Sequence, residues 1–359
     1  MDADVVIAGA GLAGACAALA LSTSRRVVVL DDGRPGASHA AAGLVNPFLG
    51  RKARRAWRAD EALAEIARLG AEVGHPATLG GLLRPARDAR QADAFQERAA
   101  EYPGVLDWWT ADESASRHPD IHAPHGGLWA REGGHVEIPR LVEAILAEAE
   151  RRGAKIVSAR LERWSGDGLL EVRFTQRATT ADHPPSIRAH RLLLCLGDGT
   201  GALAPSLPLH RIKGQTIRLS APAGLPIPPV SGPVYVVPIV PGEVVVGATF
   251  EHHFDTIAPT PETTEDLRQR AADLVPALTE AEALEARAGV RLTVPVKVRP
   301  GRLPLVGPLE GHPGVWVFTG LGAKGLLTAP LLARHLPGWW DRPDAIWPEV
   351  STRALAKTP

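Results

Sequence analysis

The hydrophobic residues at the start of the chain fall into the order strand, helix, strand. An apolar run at residues 5–8 leads into closely spaced glycines, and an Ala/Leu-rich stretch follows as far as Leu21. A second apolar run, residues 27–30, ends at a pair of aspartates. Short apolar runs bounded by turn residues are typical of buried strands, so this pattern predicts a βαβ unit.

The glycines between the first strand and the helix form the pattern G-x-G-x-x-G of a dinucleotide-binding turn. Gly9 permits the tight turn, Gly11 lets the backbone approach a pyrophosphate, and Gly14 lets the helix pack closely on the strand. We expect the pyrophosphate beside Leu12 and Ala13, because free N–H groups and the helix dipole favour an anion there. The alternative is a strand–turn–helix that binds nothing.

An acidic residue ends the second strand. Asp31 directly follows the apolar run, where its carboxylate can accept a hydrogen bond from a ribose hydroxyl, and Asp32 can share that role. The next segment, residues 33–47, is small and glycine-rich, whereas an NAD-binding domain usually continues with another ordinary βα unit. We therefore favour FAD as the cofactor. A surface loop with a short Ala-rich helix is the alternative interpretation of this segment.

A glycine-rich turn near the other end of the chain separates a predicted strand, residues 315–318, from a predicted buried helix, residues 326–336. Glycines let the backbone approach a ligand there, at Gly320, Gly322 and Gly325. A helix N-terminus aimed at the N1–C2=O edge of a flavin would stabilise the negative charge that forms there on reduction. Lys324 either adds a positive charge at this place or is an ordinary solvated lysine.

The N-terminal fingerprint, residues 38–44 and the C-terminal run 319–326 together resemble the D-amino-acid oxidase/glycine oxidase superfamily of flavoproteins. Residues 320–330 also look like the flavin domain of the bifunctional enzyme that modifies wobble uridine in tRNA. The resemblance covers nearly the whole chain. Its motifs are specific near the two termini and diffuse in the region between them. It implies an α/β fold: a split Rossmann-like FAD-binding domain with an inserted antiparallel-sheet substrate domain.

The resemblance implies a discontinuous domain organisation. Residues 1–75, 135–208 and 292–359 would form the FAD-binding domain, and residues 76–134 and 209–291 the substrate domain. The residue pattern predicts helices at 56–70, 91–101, 140–151 and 263–274. It predicts strands at 155–161, 191–196, 210–219 and 290–298, a hairpin formed by 234–240 and 243–247, and a loop or hairpin insertion at 176–190.

The resemblance also implies which residues surround FAD. The flavin would be lined by Ser38, His39, Ala42, Gly43 and Leu44. The pyrimidine edge would be faced by Gly320, Gly322, Ala323, Lys324, Gly325 and Leu326. Leu161 would contact the adenine and Gly197 the pyrophosphate, while Asp198 is better explained as a turn or cap residue. We expect FAD to be non-covalent, because Ala40 stands where some relatives attach it through histidine, and the cysteine used by others has no counterpart.

The superfamily oxidises a C–N bond next to a carboxylate and passes hydride to flavin N5. Arginine is the natural carboxylate anchor because its guanidinium offers a bidentate fork. Our first candidate is Arg291, followed by Arg302 and Arg51. Tyr235 stands where relatives place a tyrosine beside the substrate, although a cross-strand core tyrosine is an equal alternative. The usual acidic residue before Leu303 is missing, so the sequence leaves the amine or amino acid open.

The composition restricts the remaining functions. The 359 residues include 40 basic and 40 acidic side chains, so bulk attraction to nucleic acid or membrane is not expected. Two cysteines, Cys16 and Cys195, provide no disulfide framework, and no Cys/His spacing predicts a metal site. We expect a cytoplasmic enzyme, since acidic residues and three glycines argue against reading residues 5–21 as a signal or membrane segment.

Two features keep other functions open. The basic segment 51–58 either captures an anionic substrate or RNA, or is a solvated loop that pairs with carboxylates such as Asp60 and Glu61. Neutral charge and the missing methyltransferase half make tRNA the second choice, with a flavin-binding protein that does not turn over amines as a further alternative. The tryptophan pairs at 108–109 and 339–340 either mark an interface or are buried or lid residues.

Overall fold

The computed structural model describes residues 2–176 and 185–357 of the chain. The strands in this part of the chain are β1 (Asp2–Ala8), β2 (Val27–Asp31), β3 (Leu44–Val45), β4 (Phe48–Leu49), β5 (Arg54–Arg55), β6 (Leu82–Pro85), β7 (Leu106–Trp109), β8 (Gly127–Ala130), β9 (Gly134–His135), β10 (Lys155–Ser165), β11 (Leu170–Gln176), β12 (Ser186–Leu194), β13 (His210–Ser220), β14 (Val230–Ser231), β15 (Tyr235–Val240), β16 (Glu243–Gly247), β17 (Ala283–Thr293), β18 (Leu305–Pro308) and β19 (Val315–Thr319). The helices are α1 (Leu12–Ser22), α2 (Ala59–Glu72), α3 (Ala89–Glu101), α4 (Ala111–Arg117), α5 (Ile138–Arg151), α6 (Thr200–Leu203), α7 (Pro261–Leu274) and α8 (Gly325–Asp341).

The first sheet carries the N-terminal βαβ unit. Strands β10, β2, β1, β12 and β19 lie side by side and parallel, and β18 pairs antiparallel with β19 at the edge. The hairpin β10–β11 folds back so that β11 also pairs with the start of β12. Strands buried on both faces read as continuous apolar runs, which is why residues 5–8 and 27–30 were recognisable in the sequence.

The second sheet has the order β17-β13-β16-β15-β14-β6-β8-β7. Its pairs are antiparallel except β14 with β6. One face packs on α7 through a core that includes Ile217, Val246 and Leu267. A mixed α/β protein with one largely parallel and one largely antiparallel sheet confirms the fold class that we predicted.

Helix α1 is buried on almost all sides because it lies beneath α5 and α8 on the parallel sheet. Both cysteines are buried: Cys16 lies in α1 and Cys195 just after β12. Helix α8 continues to Asp341 although Pro337 stands within it. Proline removes a helical hydrogen bond, and the buried Trp339 and Trp340 hold the last turn against the core.

Several predicted elements need correction. The strand predicted at 290–298 is wrong in position: β17 ends at Thr293, because Pro295 cannot continue the ladder, and begins seven residues earlier than predicted, at Ala283. For the loop or hairpin predicted at 176–190, the described ends agree with the hairpin: Gln176 ends β11, and residues 186–190 begin β12, which pairs antiparallel with β11. Residues 177–184 lie outside the described part. The helix predicted at 326–336 and the strand predicted at 155–161 are both longer.

The two sheets draw their strands from interleaved parts of the sequence. The first uses residues before 32, between 155 and 194, and after 304, and the second uses residues 82–130 and 210–293. The exact domain boundaries stay a prediction. Across the described residues, every helix is too short or too polar to traverse a lipid bilayer.

Candidate functional site

The glycine turn after β1 is sterically required. Gly9 has φ +98°, and a Cβ added to it would lie 2.5 Å from the carbonyl oxygen of Cys195. A Cβ on Gly14 would lie 1.8 Å from the carbonyl oxygen of Gly9. Around Gly11 the nearest atom to an added Cβ is the hydroxyl of Ser38, at 3.3 Å. The first and third glycines therefore let α1 pack on the sheet, and the second leaves room beside the turn.

The N-terminus of α1 lies beside two polar side chains that the sequence singled out. The Leu12 N–H donates to Ser38 Oγ at 3.0 Å, and the Ala10 N–H donates to Asp31 Oδ1 at 3.4 Å. The N-cap residue itself, Gly11, provides no side-chain cap. Asp32 instead accepts from the Arg34 N–H at 3.1 Å. The geometry therefore places Asp31, rather than Asp32, against the glycine turn.

Residues 36–44 lie between the two sheets. Gly43 has φ +76°, and its carbonyl accepts from the Val136 N–H at 2.9 Å. Leu44 pairs with His135 across β3 and β9. His39 and Ala42 are half-buried, and burial lowers the pKa of His39. The segment 36–44 is thus held by Ser38 near its start and by Gly43 and Leu44 at its end.

The C-terminal glycine turn approaches the same place. Gly320 has φ +73° and Gly322 φ +55°. A Cβ on Gly325, the first residue of α8, would lie 3.9 Å from the side chain of Leu12 in the N-terminal turn. The two glycine-rich turns, more than 300 residues apart in sequence, are therefore neighbours.

The side chain of Lys324 is held by the backbone. Its Nζ donates to the carbonyl oxygen of Gly301, and burial lowers its pKa, with a smaller effect from Arg302. Ala323 is exposed and Leu326 is half-buried. The ammonium group of Lys324 therefore lies beside the glycine turn that precedes α8 and is hydrogen-bonded to the Gly301 carbonyl.

The remaining cofactor candidates differ in setting. Gly197 has φ +53° with open space around it, after β12. Asp198 forms a bidentate ion pair with Arg211, with both contacts at 2.7 Å, which agrees with a structural role. Leu161 is buried in an apolar cluster and pairs with Phe174 in the β10–β11 hairpin.

These residues fit FAD. The glycines at positions 9 and 14 make a cradle that a Cβ would fill, the N-cap residue Gly11 of the helix has no side chain of its own to cap it, and Asp31 stands at the end of β2. Anions bind at such helix N-termini, and a carboxylate at this strand end suits a ribose. Residues 36–44 and 320–325 would hold the flavin between them, and the space between these two segments is called the groove. Nothing in the described residues forms a cluster of metal ligands.

The sheet face that covers residues 36–40 also carries Arg291. Thr216 Oγ1 donates to the Ala40 carbonyl at 3.1 Å, and a Cβ on Gly289 would lie 2.8 Å from Ala37 Cα. Because alternate residues of a strand share a face, Gly289, Arg291 and Thr293 all point this way. Thr293 Oγ1 lies 3.3 Å from a Cβ placed on Gly322. Arg291 therefore stands between the two segments predicted to hold the flavin.

The guanidinium of Arg291 is half-buried and has no carboxylate ion-pair partner among residues 2–176 and 185–357. Its Nη2 donates to the Thr249 carbonyl at 2.5 Å, and its Cζ lies 4.3 Å from the centre of the Phe250 ring. The guanidinium also lies over Gly214: a Cβ added to Gly214 would be 2.5 Å from Arg291 Nη2, so a side chain there would collide with it. Burial lowers the pKa of Arg291, and nearby Tyr235 and Glu251 oppose that effect.

Tyr235 lies on the same face. It pairs with Gly247, which pairs with Thr216 on its other side, and directly opposed residues share a face. Burial lowers the pKa of both Arg291 and Arg84, and the charge interaction with Tyr235 partly opposes this, so the tyrosine lies within electrostatic reach of two guanidinium groups.

Arg84 is a buried residue that the sequence did not single out. Its Nη1 and Nη2 donate to the carbonyl oxygens of Phe48 and Gly50, each at 2.6 Å, and burial lowers its pKa to about 10. Its Nε has no hydrogen-bond partner in the described part of the chain. One arginine in a short apolar stretch gives no local signal, because its partners lie more than 30 positions away.

The other arginine candidates do not join this site. Arg302 is exposed, with φ +50°, near Lys324. Arg51 is 73% exposed and lies 3.6 Å from Asp88. The rest of the basic segment is partly neutralised: Arg55 pairs with Glu132 and Asp60, and Arg58 with Glu61. These ion pairs agree with the solvated-loop interpretation of residues 51–58.

The side chains of the two tryptophan pairs, at 108–109 and 339–340, are mostly buried. Trp109, Trp339 and Trp340 are buried and Trp108 is half-buried. Trp109 stacks on Trp129 with ring centres 5.0 Å apart. Packing within the chain therefore accounts for them.

Comparison with known proteins yields matches along almost the whole chain. The family model described as "FAD dependent oxidoreductase" (DAO) matches residues 4–337. The bifunctional protein MnmC of tRNA 5-methylaminomethyl-2-thiouridine biosynthesis from Marinobacter nauticus is 29% identical over 92% of this chain, which spans only 54% of that protein. Glycine oxidase from Pseudomonas aeruginosa is 28% identical, with 94% of both chains covered.

The solved structures agree on the fold. The crystal structure of glycine oxidase from Geobacillus kaustophilus superimposes with a TM-score of 0.82 and 22% identity, covering 94% of each chain. At this identity the likeness concerns the architecture: one parallel and one antiparallel sheet built from interleaved segments.

Proposed function

This chain belongs to the DAO family of FAD-dependent oxidoreductases, and we propose that it oxidises the C–N bond of a small amino acid or secondary amine that carries a carboxylate. The observation that carries this proposal is Arg291: within the described part of the chain its guanidinium has no carboxylate partner, and it lies on the face between residues 36–40 and the C-terminal glycine turn. A buried cation without a counter-ion is costly, so a site of this kind favours an anionic ligand.

The residues of the chain divide the work between binding and orientation. Arg291 would take the substrate carboxylate with the N–H groups that Thr249 does not use, and Tyr235 would lie beside the bound molecule. FAD, when bound, supplies the hydride-accepting chemistry. When Arg291 holds the carboxylate, the reacting carbon is fixed relative to the residues that hold the flavin. Part of the binding energy is thereby used to orient the substrate for reaction.

We further propose that FAD is held non-covalently. Ala40 occupies the position of the attachment histidine of some relatives, and its carbonyl is bound by Thr216. The two cysteines of the chain are buried beneath the N-terminal turn, and burial raises the pKa of each thiol well above its ordinary value. Neither cysteine is therefore suited to attach a flavin.

The first experiment is an anaerobic titration of the FAD-loaded protein with glycine, sarcosine, proline and a panel of D-amino acids. We expect at least one to bleach the oxidised-flavin band at about 450 nm. The variant Arg291→Met should bind FAD, keep its colour and resist bleaching at the same substrate concentration. A yellow wild-type protein that none of these amines bleaches would contradict the proposal.

The likeness to MnmC supplies one specific second candidate, a carboxymethylaminomethyl group on a modified tRNA base. The chain spans about half the length of that relative. A nucleoside that carries this group should be tested in parallel. Bleaching by the nucleoside alone would favour the second candidate, and bleaching by a free amino acid would favour the first.

A further inference from the structure

A buried lysine lies directly behind the carboxylate anchor, outside the groove. Lys213 of β13 is 1% exposed, and its Nζ lies 3.5 Å from Glu251 Oε2. The two residues also exchange backbone hydrogen bonds, at 3.0 Å and 2.9 Å. Because lysine is almost never fully buried without a partner, Glu251 must supply the compensating charge.

The carboxylate of Glu251 collects further donors. Thr249 Oγ1 donates to its Oε1 at 2.6 Å, and Gln215 Nε2 donates to the same oxygen at 2.8 Å. Burial raises the pKa of Glu251, but these hydrogen bonds and Lys213 outweigh it, so that the pKa lies below its usual range. The group is therefore a carboxylate at neutral pH and holds its donors as an anion.

The same network fixes residues 249–251, called the 249–251 turn here, to the neighbouring strand β13 and to Thr260. The Gln215 N–H donates to Thr249 Oγ1 at 2.9 Å, and the Thr260 N–H donates to Gln215 Oε1 at 2.8 Å. Thr249 is thus held through its hydroxyl by both a side chain and a strand backbone. A satisfied buried network of this kind rigidifies the backbone that carries it.

The turn held by this network is the one that contacts Arg291. The carbonyl of Thr249 accepts from Arg291 Nη2 at 2.5 Å, and the next residue, Phe250, places its ring 4.3 Å from the guanidinium. Phe250 is 52% exposed, so packing does not hold it in place. What fixes both contacts is the position of the turn between Thr249 and Glu251.

We propose that Lys213 and Glu251, acting through Thr249, are positioning residues for the carboxylate anchor: they set the direction of the Arg291 guanidinium and thereby the affinity of the site for carboxylates. The inference rests on the proposed function only in taking the ligand to be a carboxylate. An arginine fork binds in a fixed plane, so a tilt of the guanidinium weakens one of its two hydrogen bonds.

A purely electrostatic role for Glu251 predicts the opposite sign. As a negative charge near Arg291, Glu251 repels an incoming anion, and Glu251→Gln would then tighten binding. If Glu251 is a positioning residue, Glu251→Gln leaves Lys213 without a counter-ion and releases residues 249–251. The affinity for the carboxylate then falls. The direction of the change therefore separates the two roles.

The test measures binding of benzoate, a carboxylate without an oxidisable C–N bond, to the FAD-loaded protein by calorimetry. We expect Glu251→Gln and Thr249→Val each to raise the Kd about tenfold, which corresponds to 1.4 kcal/mol. Thr249→Val keeps both charges of the pair, so it remains informative if Glu251→Gln folds poorly. Thr249→Ser retains the hydroxyl and should restore the wild-type Kd.

A matched control is available on the neighbouring strand. Glu243 pairs with Arg218, and its side chain is 26% exposed against 27% for Glu251, yet it does not contact the turn. Glu243→Gln should leave the Kd unchanged. With an amine substrate, the two test variants should raise KM about tenfold and leave kcat within about twofold, the signature of weakened ground-state binding.

Each result bears on one of the two proposals. Tighter benzoate binding by Glu251→Gln, or an unchanged Kd in Thr249→Val, would overturn the positioning role. Wild-type protein that binds benzoate but is bleached by no amine would overturn the proposed reaction and leave the positioning role standing. Wild-type protein that has no benzoate affinity and is bleached by no amine would overturn both.

Discussion

The hydroxyl oxygen of Ser38 lies 3.0 Å from the backbone nitrogen of Leu12, so the segment predicted to line the flavin is bonded to the N-terminus of α1. One side chain thus joins the expected pyrophosphate site to the expected flavin site. Because the first N–H groups of a helix have no partner within it, Ser38 satisfies one donor and holds the segment against the turn.

Removing this hydroxyl should weaken FAD binding. We expect Ser38→Ala to raise the Kd for FAD about threefold to tenfold, since a hydrogen bond of this type contributes about 0.5–1.5 kcal/mol. Titration of the apoprotein followed by flavin fluorescence measures the change. Ser220→Ala is the matched control, because Ser220 Oγ also accepts a backbone N–H, at 2.9 Å, but far along β13. Tighter FAD binding by Ser38→Ala would show that the hydroxyl competes with the cofactor.

The third glycine of the fingerprint should tolerate no side chain. Gly14→Ala would bring a Cβ within 1.8 Å of the Gly9 carbonyl oxygen, and we expect a loss of about 3 kcal/mol in the free energy of unfolding together with loss of FAD. Gly338→Ala, also within a helix but with nothing within 4 Å of an added Cβ, should be neutral or stabilising by about 1 kcal/mol. Thermal unfolding and the flavin absorbance of the purified variants test both. Retention of FAD and stability by Gly14→Ala would contradict the close contact.

The fork of Arg291 should matter more than its charge. Arg291→Lys keeps the cation but loses the bidentate geometry, so KM for a carboxylate substrate should rise about 10- to 100-fold, equivalent to about 1.5–3 kcal/mol. The FAD content should not change. Arg218→Lys, in the same sheet but paired with Glu243, is the control and should behave as wild type. Equal KM values for Arg291→Lys and wild type would contradict the need for a bidentate fork at this position.

Acid should weaken the contact between α2 and α5. Glu72 accepts from Arg152 at 2.5 Å and from Arg68 at 2.6 Å. Burial raises the pKa of Glu72, and these bonds outweigh burial and hold it below its ordinary value of 4.5. The carboxylate thus binds fewer protons in the folded state, so its stabilisation is present above pH 4.5 and is lost as the pH falls through the folded pKa. Chemical unfolding at a series of pH values should show a shallower acid decline in Glu72→Gln than in wild type. Parallel curves would contradict this coupling.

The parts that were predictable from sequence are those with local physical signals. The glycines around α1, the apolar strands β1 and β2, and the glycines before α8 each follow from the chain's own backbone requirements. The hairpin β15–β16 was likewise predictable from two valine-rich runs on either side of Pro241 and Gly242. Strand β17 was displaced in the prediction, because its Ala-rich beginning has weak strand propensity and pairs with β13 only through tertiary contacts.

The sequence by itself therefore predicted a dinucleotide-binding βαβ unit and favoured FAD, because glycine turns and buried parallel strands leave local patterns. The split-domain fold and the short set of arginines came from the family resemblance that the terminal motifs carry. Only the tertiary structure decided which candidate arginine lies beside the segments expected to hold the flavin. It neutralises Arg51 with Asp88, buries Arg84 against the carbonyl groups of Phe48 and Gly50, and leaves Arg291 facing the groove. The free energy of a charge depends on which groups surround it in space, and those groups come from strands and turns far apart along the chain.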